Sequence, residues 1–245
     1  MAGIKYKRVL LKLSGESLCQ PGGFGIEGPA IEAIADRIRR ICTLGPQVAI
    51  VVGGGNFLRG EQFARISHIP RNTADYMGML ATVINACALQ ETLEKMGQPT
   101  SVLSAIEVVA LCERFVRRKA LFHLESGRAV ILAGGTGNPF FTTDTCAALR
   151  AAELDAELMI KATKVDGVYT ADPKKHPDAR LIERISYTEV LRRNLKVMDP
   201  AAVSLCRDNG IEVIVLNIFK EGNIERALHG EAVGTRIDDG DEDAG

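Results

Sequence analysis

An α/β protein, with a mostly parallel sheet between two layers of helices, is the fold class this sequence predicts. Three observations carry it. Short runs that are apolar almost throughout recur along the chain, among them Arg8–Leu13, Val48–Val52, Ala129–Leu132 and Glu212–Leu216. Strands buried on both faces read this way, whereas strands with one wet face alternate. Amphipathic helical stretches separate the runs, as parallel strands require. The unusual loops, Ser14–Gly15, Gly53–Arg59, Gly134–Thr143 and Thr163–Asp172, all leave the carboxyl ends of strands. In open α/β sheets that edge binds ligands.

In order, Arg8–Leu13 is read as a buried first strand, and Gly22, Gly23 and Gly25 make the next stretch a flexible loop. A helix starts near Pro29, a residue favoured in the first turn. Ile31, Ile34, Ile38 and Ile41 form its apolar stripe, and Gly45 ends it. The second strand leads into Gly53-Gly54-Gly55. A long helix follows from about Thr73 to Met96, with Met77, Leu80, Ile84 and Cys87 on one face. Further strands are expected at Ser101–Leu103 and Leu158–Ile160, and helices at Asp144–Leu154 and Pro200–Asn209. Arg114, Arg117, Arg118 and Lys119 read as the solvated face of a helix. Residues 1–237 are expected to form one domain, and the acidic residues 238–245 a disordered, solvated tail.

Composition narrows the function. Apolar residues make up 46% of the 245, enough for a substantial core, and the formal charge of −1 gives no footprint for nucleic acid. Six scattered cysteines without metal spacing suit the reduced thiols of a cytoplasmic protein. His68, His123, His176 and His229 are isolated, so no metal site is expected on the chain itself. Neither a signal pattern nor an apolar stretch of about 18 residues occurs, and no membrane role is expected. The motifs of P-loop enzymes, dinucleotide-binding folds and protein kinases are missing as well.

The candidate site residues sit at the ligand edge. Lys12 ends the first strand beside Ser14 and Gly15, where a cation and exposed amides suit a phosphate; a lysine snorkelling to water is the other reading. Gly53 to Gly55 let main-chain amides approach an anion, and Arg59 adds a fork of donors. The loop Gly134–Asp144 combines glycines, the stiffening Pro139, the apolar rings of Phe140 and Phe141, and hydrogen-bonding groups on Thr136, Asn138, Thr142 and Thr143. Thr143 and Asp144 serve equally well as the cap of the next helix. Lys161–Pro173 is a polar loop able to frame a nucleotide or simply to turn.

These segments together resemble a known family. L-L-K-L-S-G-E from Leu10, G-G-G-N from Gly53, D-x-M-G-M-L-A-T from Asp75, T-G-N-P-F-F-T-T-D from Thr136 and K-A-T-K-V-D-G-V-Y-T-A-D-P from Lys161 are similar to bacterial uridylate kinases. The likeness runs from about Lys7 to Ile237. It implies the amino-acid kinase (acetylglutamate kinase-like) fold, a three-layer α/β/α sandwich. It also implies transfer of the γ-phosphoryl group of Mg-ATP to UMP in pyrimidine nucleotide biosynthesis. Lys12, Leu13, Ser14, Gly15, Gly55, Arg59, Thr163, Tyr169 and Asp172 match ATP contacts. Gly54, Asp75, Thr136, Gly137, Asn138, Pro139, Phe140, Phe141, Thr142 and Thr143 match UMP contacts. Catalysis is expected from Lys12 and Arg59, with Lys161 as a further cation and Asp144 orienting the lysines. Mg2+ would arrive on the ATP phosphates. The resemblance further implies a homohexamer with UTP as inhibitor and GTP as activator. Gln20, Pro21, Gly22, Gly23, Phe24, Gly25 and Arg128 match the GTP region. Basic residues expected there are replaced by Gln90, Glu94 and Ser101, so weak GTP activation is expected.

Overall fold

The structure, a computed structural model, describes residues 3–59, 63, 65, 68–171, 175–176 and 178–239. Asp172 and the tail from residue 240 onward lie outside the described residues.

The apolar runs become the strands of one nine-stranded sheet, in the order β4-β3-β5-β2-β1-β6-β10-β11-β9. These are β1 (Arg8–Leu13), β2 (Gln47–Val52), β3 (Thr100–Ser104), β4 (Glu113–Arg114), β5 (Ala129–Ala133), β6 (Leu158–Thr163), β9 (Arg184–Ile185), β10 (Glu212–Asn217) and β11 (Thr235–Ile237). All neighbours pair in parallel except β10 and β11. Two short strands, β7 (Val168–Tyr169) and β8 (Leu181–Ile182), form a separate antiparallel hairpin. The sheet is the mostly parallel, helix-covered one expected.

Alternate side chains of each central strand point to opposite faces, so each face has its own core. One holds Leu11, Leu13, Ile50 and Ile160 against α1 (Gly28–Thr43) and α2 (Arg71–Lys95). In α1 the buried residues include the expected stripe of Ile31, Ile34, Ile38 and Ile41. The opposite face packs Leu10, Val51, Leu132 and Met159 against α3 (Arg117–Glu125), α4 (Thr143–Glu153), α5 (Tyr187–Arg192) and α6 (Pro200–Asp208). A last helix, α7 (Asn223–Leu228), returns to the first face. The six cysteines are all unpaired.

Three expectations need correction. On α2 the stripe of Leu80 and Ile84 is half exposed, and the helix buries Met79, Val83, Asn85 and Leu89 instead. Small residues at Ala74, Ala81 and Ala86 let that other face sit close to the sheet. Arg114 is in β4, not in the helix that carries Arg117. The strand expected to end at Ile160 runs on to Thr163, because Lys161 to Thr163 pair with Val215 to Asn217. Lys161 and Thr163 are therefore strand residues, not loop residues.

Topology places the site. β1 is flanked by β2 on one side and β6 on the other, so the connections leaving these strands diverge around its carboxyl end. That divergence opens a crevice. Into it project the segments after Leu13, Val52 and Thr163. The walls are set by close approach. A Cβ on Gly15 would lie 2.5 Å from the Gly53 carbonyl oxygen, and one on Gly54 would lie 2.6 Å from that of Gly78 in α2. Gly55 has no atom closer than 3.6 Å. Of the three glycines, Gly54 is thus demanded by packing against α2. Gly54→Ala should lower stability by about 1–3 kcal/mol, the usual cost of overpacking, while Gly55→Ala should change it by less than about 0.5 kcal/mol. Urea unfolding of the two variants checks this, and equal losses would contradict it.

Candidate active site

Lys12 and Lys161 stand opposite one another on the adjacent parallel strands β1 and β6. Both side chains are largely buried, 11% and 15% exposed. Two ammonium groups cannot share a dry crevice without an anion, since burying an unpaired charge is costly. Asp144, in the first turn of α4, supplies it. Its Oδ1 lies 2.8 Å from Lys12 Nζ and its Oδ2 accepts a 2.6 Å hydrogen bond from Lys161 Nζ. Lys161 Nζ also donates to the Val197 carbonyl.

The electrostatics follow. Burial pushes the Asp144 carboxyl upward, but Lys12 and Lys161 outweigh it and hold the group below its ordinary value of 3.8. Burial dominates at Lys161 and brings its ammonium below 10.5, with Asp144 opposing and Lys12 adding to the fall. The helix start helps as well. Thr142 caps α4, its Oγ accepting 3.1 Å hydrogen bonds from the amides of Asp144 and Thr145. The cap expected at Thr143 or Asp144 is one position earlier. An anion in the first turn also meets the positive end of the helix dipole.

Beside this triad lies a cavity of about 390 Å3. Ser14, Gly15, Gly53, Gly54, Gly55 and Arg59 line one side; Asp75, Thr136, Phe141, Thr142 and Thr143 line the other. Residues matched to the two nucleotides therefore meet in one space. The loop 137–140 continues its rim. Phe140 adopts a left-handed backbone (φ 74°) and donates its amide to Asp75 Oδ2 at 2.8 Å. A second cavity, about 320 Å3, has Asp144 and Lys161 at its polar end and Val190, Leu191, Val197 and Val203 along its apolar wall. Thr163 and Tyr169 line neither. Thr163 Oγ1 donates to the Val165 and Leu216 carbonyls, and Tyr169 sits half-buried in the β7–β8 hairpin. Leu13 is fully buried and offers the site only its backbone.

Four residues missed in the sequence shape this site. Arg71 lines the cavity, donates from Nε to both Asp75 oxygens at 2.9 Å, and lies 5.7 Å from the Phe140 ring. Its i,i+4 spacing to Asp75 was a readable signal. Glu16 pairs with Arg59. Asn85, fully buried on α2, exchanges amide hydrogen bonds with Asn56 at 2.7 and 3.0 Å and donates to the Gly53 carbonyl at 2.7 Å. Asp199 accepts from Thr142 and Thr145. The last two act across sequence distances that no local pattern reveals.

The residues of the expected GTP region are not brought together within one chain. Gly25 exchanges hydrogen bonds with Asn56, just beyond the carboxyl end of β2. Arg128 precedes β5 at the sheet's other end, where it donates to Ser101 Oγ at 2.7 Å, to the Thr100 carbonyl and to Glu94.

With this geometry in view, the amino acid kinase family model matches residues 7–217. The chain belongs to the amino acid kinase family. Solved structures of family kinases superpose over most of it. A UMP kinase from Bacillus anthracis is 39% identical with a TM-score of 0.93, covering 96% of this chain and 97% of that one. A UMP kinase from Ureaplasma parvum is 38% identical with a TM-score of 0.89, covering 96% and 100%. A uridylate kinase from Archaeoglobus fulgidus is 31% identical with a TM-score of 0.71, covering 94% and 99%. The enzyme class is therefore kinase, and its cationic crevice is of the kind phosphoryl transfer needs.

Asp144→Asn keeps the shape of the triad but removes its charge. At pH 7 the variant should lose about 3–5 kcal/mol of stability, as when one partner of a buried pair is removed. The carboxylate's contribution is fully present above 3.8 and disappears as pH falls below that through the lower folded value. Unfolding curves of both proteins should thus converge on acidification. A gap that persists unchanged into acid would contradict the ionic origin.

Proposed function

We propose that this kinase phosphorylates UMP with Mg-ATP, giving UDP and ADP, as a step of pyrimidine nucleotide biosynthesis. The observation that carries the reading is the buried Lys12–Asp144–Lys161 triad beside a cavity walled by glycine amides and the 136–143 loop. Its support from relatives is the pair of UMP kinases at 38–39% identity over nearly the whole chain.

The chemistry needs little from the protein beyond alignment and charge. An oxygen of the UMP phosphate attacks the γ-phosphorus, and the bond to the β–γ bridging oxygen breaks with its electron pair leaving on ADP. The attacking oxygen is already anionic, so Asp144 serves as orienter of the lysines rather than as a base. Lys12 and Lys161 offset the charge spread over the transferred group. Arg59 exchanges Glu16 for phosphate oxygens as nucleotide binds. Asp75, fixed by Arg71, holds the UMP ribose, and Phe140 and Phe141 give the base an apolar wall. Among the described residues no group of three or more His, Cys, Asp or Glu is placed to hold a metal. Mg2+ carried on the ATP phosphates would supply further positive charge to the transferred group. On the ATP side we assign Ser14, Gly15 and Gly55 to the phosphates and Thr163, Tyr169 and Asp172 to the adenosine.

Regulation and assembly belong to the same reading. UTP, sharing uracil and ribose with UMP, competes for the cavity. GTP acts weakly, because Arg128 already spends its donors on Ser101, Thr100 and Glu94. The half-exposed Tyr76, Leu80 and Ile84 on one side of α2 supply an apolar face for self-association, which we take to be homohexameric. No helix among the described residues is long and apolar enough to cross a membrane, and a cytoplasmic enzyme fits the unpaired cysteines.

A coupled assay offering UMP, CMP, aspartate and carbamate in turn tests the reading. UMP should be strongly preferred, because sites that hydrogen-bond a substrate reject an analogue with mismatched donors by up to ~10⁴. Asp75→Asn should mainly raise the KM for UMP. Comparable turnover of UMP and CMP, or turnover of an acyl acceptor alone, would overturn it. In the same assay UTP should inhibit, and several-fold activation by micromolar GTP would show that Arg128 is available after all.

A further inference from the structure

We propose that Asp199 is a positioning residue for phosphoryl transfer, locking the first turn of α4 so that Asp144 stays between the two lysines. The argument rests on one hydroxyl. Thr142 Oγ has two lone pairs and one proton. Its lone pairs face the amides of Asp144 and Thr145, each at 3.1 Å. The proton is left for Asp199 Oδ2, which accepts it. Asp199 Oδ1 accepts from Thr145 Oγ1 at 2.8 Å and from the Ala202 amide at 3.1 Å. One carboxylate thus caps α6 and fixes the cap of α4. Two residues upstream, the Val197 carbonyl accepts from Lys161 Nζ. The turn 197–199 therefore grips both ends of the Lys161–Asp144 pair.

Charge acts in the same direction. Lys161 is faced by Asp144 from α4, Lys12 from β1 and Asp199 from the turn, and Asp199 favours its ammonium form. Cys206 of α6, near both aspartates, has its thiol pushed up to about 12 by burial and stays uncharged near neutrality.

Asn at position 199 separates positioning from helix capping. Asn and Asp cap helices about equally, so α6 keeps its start. The amide nitrogen, however, cannot accept the Thr142 proton together with the bonds its oxygen makes to Thr145 and Ala202. The inference rests on the UMP kinase reading for its kinetic arm only. In Asp199→Asn, kcat should fall roughly 10- to 100-fold, the scale on which outer partners of a functional group act, with the KM for UMP within about twofold. Independently of turnover, the Lys161 amine in the ligand-free protein should become reactive to an acylating reagent at lower pH, read by mass spectrometry of the labelled peptide. If wild type fails to phosphorylate UMP, the proposed reaction falls while the labelling still reports on Asp199. A kcat within twofold of wild type, or an unshifted labelling curve in a folded variant, overturns the inference. Asp199→Ser keeps a cap oxygen but lacks the second acceptor, so it must reproduce the labelling shift. Failure of both variants to fold would assign Asp199 a purely structural role and likewise overturn the inference.

Discussion

Everything at this site follows from placing two lysines side by side on neighbouring strands. Lys12 and Lys161 are in register on β1 and β6, and the sheet gives them no means of separating. The structure is tolerable because Asp144 reaches in from α4 and forms an ion pair with each. Asp144 is the one carboxylate paired with both lysines, and Asp199 adds a more distant negative charge facing Lys161. Two ammonium groups held this close repel one another, a cost in stability that a bound polyanion relieves. Preorganised charge of this kind needs no rearrangement during the reaction, which is why it favours a transition state with charge spread over phosphoryl oxygens.

The surrounding fold keeps that geometry rigid by close packing rather than by large side chains. Gly15 and Gly54 allow the loops after β1 and β2 to touch each other and α2. The Asn56–Asn85 amide pair then ties the second of these loops to α2 and to Gly25. On the opposite wall, Asp75 links α2 to the Phe140 amide and so to the loop 136–143. A left-handed backbone at a phenylalanine costs of order 1–3 kcal/mol, and the hydrogen bond that its amide donates to Asp75 Oδ2 helps to hold it. The cavity is thus shaped on both sides by hydrogen bonds reaching in from α2.

The parallel, helix-covered sheet and its ligand edge were legible because apolar runs and glycine-rich loops are local signals. Lys12 and the 136–143 loop could be singled out for the same reason, whereas Asp75 stood out only through the resemblance carried by its D-x-M-G-M-L-A-T segment. What could not be read is what depends on register and tertiary distance. Nothing local says that Lys161 lies in a strand opposite Lys12, since the apolar run stops at Ile160 and pairing with β10 carries the strand onward. Asn85 looks like an ordinary polar helix residue until Asn56 is brought against it. Asp199 caps α6 just before Pro200, but its bonds to Thr142 and Thr145 span more than fifty residues. The exposed stripe on α2 misled in the opposite way, because an apolar face need not point into the chain's own core.

The central claim is that Lys12 and Lys161 act as one cationic unit held by Asp144. A double-substitution cycle on kcat, with Lys12→Met, Lys161→Met and the pair combined, tests it most directly. Residues that work as a unit are grossly non-additive. Each single variant should therefore lose most of the activity, roughly 10²-fold or more, and the double variant should be little worse than the poorer single. Losses that simply multiply would mean that the two lysines act independently and would contradict the account.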